Sequence, residues 1–362
     1  MLSRRQALAG PGLAALSRTA AAQDGRDAGT ELLLLASDSQ PDSVKTANEI
    51  AARLGGPDAR LRAEASRGVL DAAARLAARV ADRPAAVSAA LPSVTLAYMT
   101  RSGLPPSVAY ALRFIARLGI GELHVLASQR IGGLADLAGQ KVGLGVQGSA
   151  TQATAAVLLD RLSLRVDAVY LDHEEALAAV RRGDIAAMML VGPAPVPLLR
   201  QVDLSDHVHF LAVEDTGGAP VGLLPALILP EDYPQLGGGE AGRARAVATL
   251  GVPMVLGCFN WSSGTPMFAG LARLCDLLAE HGSGLRGFDM AAAVPGWERF
   301  PPVADWLARG RAGTIQDASF GRHRAPPAVS GGGGAAPAAN PGSAEEQKER
   351  LFQKFLKWRR GE

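Results

Sequence analysis

The chain has 362 residues, 48% hydrophobic and 20% charged, which is a globular composition and excludes a disordered one. With 37 basic against 35 acidic residues the formal net charge is +2, and the body of the chain has no dense basic patch with interleaved aromatics, so a nucleic-acid partner is not expected. Only two cysteines occur, Cys258 and Cys275, which excludes a disulfide scaffold and a zinc ribbon; their spacing does not decide whether they pair with each other.

Residues 1–22 read as an export signal. Arg4 and Arg5 supply the positive start, with a twin-arginine flavour over 3–8. An apolar stretch over 7–16, interrupted by Gly10 and Pro11, leads to the small residues Ala20, Ala21 and Ala22 before Gln23. No later run approaches the ~20 apolar residues of a membrane span. The expectation is an exported, periplasmic protein.

The run 31–37, ELLLLAS, is a compact strand followed by the polar turn Asp38-Ser39-Gln40-Pro41-Asp42. A helix is predicted over 43–54, stopped by Gly55-Gly56-Pro57, then a strand over 59–65, a helix over 69–80 and a strand over 85–91. Alternating strands and helices predict a parallel sheet covered on both faces. A helix is expected within 104–118, starting near Pro105-Pro106, and a strand over 122–128. His124, between Leu123 and Val125, reads as a hydrogen-bonded core residue.

A second strand–helix series begins at Gln129. A turn with some helix over 132–139 precedes a short strand at Lys141, a glycine-rich turn, a helix over 151–162 and a strand over 166–171. Asp172 is the N-cap of a helix over 173–182, with Glu175 completing a capping box and Gly183 ending it. Strands over 185–191 and 207–213 flank a short helix over 197–202; strands are read over 222–229 and 245–260, a helix over 267–280, and shorter helical pieces near Met290 and over 303–308. The composition of 325–342, almost all Pro, Gly and Ala, predicts a disordered linker. Beyond it, 344–360 forms an amphipathic helix with Leu351, Phe352, Phe355 and Trp358 as its stripe, suited to a protein contact first and a membrane surface second.

The turn Gly143-Leu144-Gly145-Val146-Gln147-Gly148 carries the spacing G-x-G-x-x-G. It admits a dinucleotide, a small anion at the start of the following helix, or neither, with glycine serving only the turn. A nicotinamide site is disfavoured by the short strand before it, although Asp167 and Asp172 lie near the distance of a ribose ligand. No H-E-x-x-H and no G-x-S-x-G occurs, so no catalytic residues, metal ligands or cofactor are assigned. His207 and His209 would share one face of a strand, as a surface pair. Anion capture has better support: Gly148, Ser149, Ala150 and Thr151 offer free N–H groups and two hydroxyls, and Ser37, Ser93 and Gly192 each follow a buried strand.

Together these motifs resemble the TAXI-type solute-binding subunits of TRAP transporters, which have the type II periplasmic binding protein fold. The resemblance spans roughly 31–309. It rests on Ile131 to Val142 (an I-x-D-L-K-G-K-x-V approach), Gly145 to Thr151 (G-x-x-G-S-G-T, with Ala150 for a glycine), Ala176 to Ala187, and the turn Val191-Gly192-Pro193. The first ligand loop diverges: 36–42 has no glycine pair and no tyrosine, and its aspartates would repel an anion unless neutralised.

The resemblance implies a non-enzymatic, two-lobed α/β receptor with a central cleft. It would bind a small organic anion, such as an amino acid or dicarboxylate, through Gly148, Ser149, Ala150, Thr151, Ser93, Ser37 and Gly192, and deliver it to a TRAP-type membrane permease. The expected organisation is a signal over 1–22, lobe I over 23–128 and 214–324, lobe II over 129–213, a linker over 325–342 and a helix over 343–362. Two alternatives stay open: a diverged sensor or scaffold acting through the C-terminal helix on a protein partner, and an NAD-dependent oxidoreductase.

Overall fold

The computed structural model describes residues 31–309, apart from 38–40, 56–59, 78–84, 105, 204–206, 214–221, 238–245 and 286. The expected export signal, the linker, the C-terminal helix and part of the first ligand loop lie outside the described residues.

In chain order, β1 (Glu31–Ser37), α1 (Pro41–Leu54), β2 (Leu61–Ser66), α2 (Val69–Ala77) and β3 (Ala85–Pro92) build a parallel three-stranded unit in the order β2-β1-β3. The reason is visible in β1 alone. Successive side chains of a strand point to opposite faces. Leu33 and Leu35 join a core with Val69, Leu76 and Met99, whereas Leu32 and Leu34 join another with Ile50, Leu271 and Leu274. Both faces are covered, so the run needs no polar alternation.

Next come α3 (Thr95–Arg101), α4 (Pro106–Tyr110) and β4 (Leu112–Ser128), followed by β5 (Lys141–Gly143), α5 (Ala150–Arg161), β6 (Asp167–Val169), α6 (His173–Arg182), β7 (Ala187–Gly192), α7 (Pro197–Arg200) and β8 (Val208–Phe210). The chain then returns through β9 (Leu224–Ile228), β10 (Val247–Phe259), α8 (Pro266–His281) and α9 (Pro301–Ala308). One mixed sheet runs β2-β1-β3-β10-β4-β7-β5-β6, with β8 on β4 and β9 on β10. The α/β class expected from the sequence is the observed one. Its two strand–helix series are joined through β4 and β10, both long and antiparallel to their neighbours.

Local chemistry explains several boundaries. Asp172 accepts from the Glu175 N–H at 2.8 Å and Gly183 ends α6 in the left-handed conformation at φ 78°, as the capping pattern requires. Thr265 caps α8 with Pro266 at its first position.

Tertiary pairing overrides the sequence reading elsewhere. The helix expected within 104–118 is limited to α4, and Leu112 already begins β4, because Phe114, Ile115 and Ala116 are buried in pairing with β10. The helix α3 was not expected. No helix forms near Met290, since Asp289 exchanges two backbone hydrogen bonds with Arg117 of β4. His207 lies outside β8 at φ 61°, so it does not share a strand face with His209. Cys258 on β10 and Cys275 on α8 are both free and buried, and burial pushes both thiols up. No helix among the described residues is long and apolar enough to cross a membrane. Replacing the α6 cap, Asp172→Ala, is expected to cost about 1 kcal/mol in urea unfolding.

Candidate ligand-binding site

The turn between β5 and α5 is built from its backbone outward. Gly145 and Gly148 take φ 76° and 82°, the left-handed region that glycine enters freely. Ser149 then caps α5 by accepting from the Gln152 N–H at 3.0 Å, and Gln152 Oε1 accepts from the Gly148 N–H at 2.6 Å. This is a capping box with its return bond shifted back by one residue. Gln152 was not singled out from the sequence, although S-x-x-Q is its signature. Ala150 opens the helix and is buried.

Thr151 is fully buried, and its hydroxyl accepts from the Val191 N–H at 3.0 Å. It ties α5 to the end of β7, one residue before Gly192. Gly192 ends β7 opposite Glu122, and it passes so near Gly121 that a Cβ on Gly121 would lie 3.3 Å from the Gly192 backbone.

The opposite wall is the β2–α2 turn, Ser66-Arg67-Gly68, which was not among the sequence candidates. Val69, at the start of α2, donates its N–H to the Gly148 carbonyl at 2.9 Å. A Cβ on Gly68 would lie 2.5 Å from Gly148 O, and one on Gly148 would lie 2.8 Å from Arg67 O. The N-terminal ends of α2 and α5 therefore meet backbone to backbone. Ser37 stands in register with Ser66, whose hydroxyl donates to the Ala36 carbonyl at 3.2 Å. Ser93, just past β3, donates its hydroxyl to the Gly222 carbonyl at 2.6 Å and its N–H to the Pro253 carbonyl at 2.8 Å, and its backbone carbonyl accepts from Trp297 Nε1–H at 2.7 Å. An ion pair between Arg101 of α3 and Asp160 joins α3 to the far, C-terminal end of α5.

The seam thus gathers Gly148, Ser149, Ala150 and Thr151 on one side and the Ser37/Ser66 strand ends with Gly68 on the other. Ser93 and Gly192 each sit at a neighbouring strand end, the first held by β10 and the Gly222 segment, the second facing β4. A signature described as NMT1-like family matches residues 57–260, more than half of the chain. The chain belongs to the NMT1-like family. Among solved structures it is similar to a TctC solute-binding protein from Polaromonas, with 15% identity, 79% of this chain and 90% of that chain covered, and a TM-score of 0.42. MatC from Rhodopseudomonas palustris with bound malate matches at 18% identity, covering 80% of this chain and 99% of that one, with a TM-score of 0.37. The alkanesulfonate-binding protein SsuA from Xanthomonas axonopodis pv. citri bound to MOPS matches at 14% identity, covering 71% and 75%, with a TM-score of 0.38. No characterised protein matches the chain by sequence.

The part matched to the NMT1-like family contains the whole seam except the β1 end, and it contains a second polar cluster. Glu122 and His124 alternate along β4 onto the same face. The Tyr233 hydroxyl is hydrogen-bonded to His124 Nε2 at 2.7 Å and accepts from the Val196 N–H at 2.8 Å. His124 is therefore a hydrogen-bonded core residue. Glu122 accepts from the Ala194 N–H at 2.8 Å. Burial raises the Glu122 carboxyl from its ordinary 4.5 to about 7 and lowers His124 from 6.5 to about 4. Burial also raises the Tyr233 phenol. Among the described residues no group of three or more His, Cys, Asp or Glu side chains is placed to hold a metal ion.

Gly148→Ala meets both the left-handed backbone and the Arg67 carbonyl, so it is expected to separate α2 from α5 at a cost of about 1–2 kcal/mol or more. Hydrogen exchange at the Val69 amide reads the separation, and unchanged protection there would exclude it. The folded chain keeps the Glu122 proton between pH 4.5 and about 7, where the unfolded chain has lost it, so this group lowers stability as pH rises through that window. His124 acts oppositely between about 4 and 6.5, where the unfolded chain holds the extra proton. Glu122→Gln removes only the first effect, and relative to the native chain it is expected to gain up to about 3 kcal/mol as pH rises across the Glu122 window, measured by urea unfolding at a series of pH values.

Proposed function

We propose that the protein is a periplasmic, non-enzymatic receptor that opens and closes along the α2–α5 seam on a small organic anion. The observation that carries this reading is the Val69 N–H to Gly148 carbonyl bond, where two helix starts face each other at 2.9 Å. Helix N-termini favour negative charge through their unpaired N–H groups and the helix dipole. In the closed seam the oxygen that meets the α2 start is the Gly148 carbonyl. In an opened form a ligand carboxylate takes that place, between the α2 start and the Ser149–Thr151 start of α5. Membership of the NMT1-like family and the α/β fold support a ligand receptor. The division into lobe I and lobe II at 128/129 and 213/214, the TAXI subtype, export through residues 1–22 and delivery to a TRAP-type permease belong to the same proposal.

A second reading has its own support. The hydroxyls of Ser149, Thr151 and Ser93 already have partners within the chain, which favours a sensor or scaffold in which the seam is structural. The nicotinamide reading fares worse, because the start of α5 abuts the Arg67–Gly68 backbone where a pyrophosphate would lie.

Calorimetric titration of amino acids and dicarboxylates distinguishes the first two readings. The receptor reading expects a saturable heat with at least one of them, and at least a tenfold loss of affinity, about 1.4 kcal/mol, for Ser149→Ala combined with Thr151→Ala. Thermal unfolding of the double variant separates lost binding from lost folding. No heat with any ligand, or full affinity in a folded double variant, excludes the proposed site.

A further inference from the structure

The strongest unassigned surface lies away from the seam, between α8 and α9. A cavity of about 230 Å³ opens there, floored by Phe268, Ala272, Met290 and Trp306, with Asp276 and Asp305 among its lining residues. It is smaller than the roughly 300–1,000 Å³ of small-molecule sites, and its size suits one or two large side chains offered by a protein segment. Asp276 and Asp305 are both exposed and stand on the outward turns of their helices.

We propose that this groove is the docking site of the chain's own C-terminal segment, 344–360. Three observations identify the occupant. The first is connection: α9 leads directly to Arg309, which itself lines the cavity, and the remaining chain starts from that rim. The second is apolar match. Leu351, Phe355 and Trp358 recur at i, i+4 and i+7, the spacing of a helix presenting one stripe to a groove. The third is charge. Lys354, Lys357, Arg359 and Arg360 give the end of the segment a purely basic character that would face Asp276 and Asp305, while its start mixes Glu345, Glu346 and Glu349 with Lys348 and Arg350. The composition of 310–343, rich in Gly, Pro and Ala, suits a tether, and a flexible coil of that length has a root-mean-square reach of about 30–35 Å. Such a tether holds the segment near the groove at an effective concentration on the order of millimolar, so even a weak contact is populated. The proposal is independent of what the α2–α5 seam binds.

Hydrogen exchange on the full-length protein tests it. Phe355→Asp combined with Trp358→Asp alters only the segment and leaves the α/β body unchanged. Amides of 266–281 and 301–308 are expected to exchange roughly tenfold faster in this variant than in the native chain. Asp276→Lys with Asp305→Lys is expected to produce the same acceleration, and adding Lys354→Glu with Lys357→Glu is expected to restore protection. Equal exchange in the native chain and the tail variant overturns the proposal, as does a charge reversal that fails to restore protection. Protection that disappears on dilution would place the segment on a second copy, and protection gained only with phosphatidylglycerol vesicles would place it on a membrane. Either result also overturns the docking within one chain.

Discussion

The hydrogen bond from the Val69 N–H to the Gly148 carbonyl joins two helix starts that would otherwise repel as like ends of two dipoles. It exists because no Cβ stands at Gly68 or Gly148. A side chain at either position would meet backbone atoms of the other turn within 2.8 Å. Beside this contact the α5 turn is held by its own bonds: Gln152 turns back onto the Gly148 N–H and Ser149 caps its own helix. The Gly148 and Gln152 N–H groups are thus satisfied within the α5 turn itself, and the Val69 N–H by the bond that crosses between the two turns.

The two halves are continuous through β4 and β10, and the polar groups along β4 are correspondingly costly to bury. Glu122 meets the cost by accepting from the Ala194 N–H, and His124 by bonding to the Tyr233 hydroxyl, which accepts from the Val196 N–H; both N–H groups lie beyond β7. The segment following β7 is thereby fastened to the strand that connects both halves. Gly121 and Gly192 permit the strands themselves to approach, so packing and hydrogen bonding act on the same few residues.

Much of this was legible in advance. β1, α6 and α8 are marked by apolar runs, caps and breakers close at hand, and the Gly148–Thr151 turn announces itself by glycine and hydroxyl spacing. The other half of the seam was not. Ser66-Arg67-Gly68-Val69 is an ordinary strand–turn–helix passage, and nothing local distinguishes its glycine from one that only ends a strand. The long β4 was misjudged for a similar reason. Its first half, Leu112 to Leu118, has no alternation to mark it as a strand because β10 pairs with it on one side, backbone bonds from Asp289, Glu298 and Phe300 reach it, and apolar layers cover it.

The sequence by itself determined the α/β class, most strand and helix positions, and the glycine turn and hydroxyl cap that start α5, because propensity, patterning and capping act within a few residues. Only the tertiary structure decided that α2 begins against α5, that Thr151 is spent on β7, and that His124 finds Tyr233. Those pairs lie 40 or more residues apart, and no short-range chemistry records which distant backbone will arrive there.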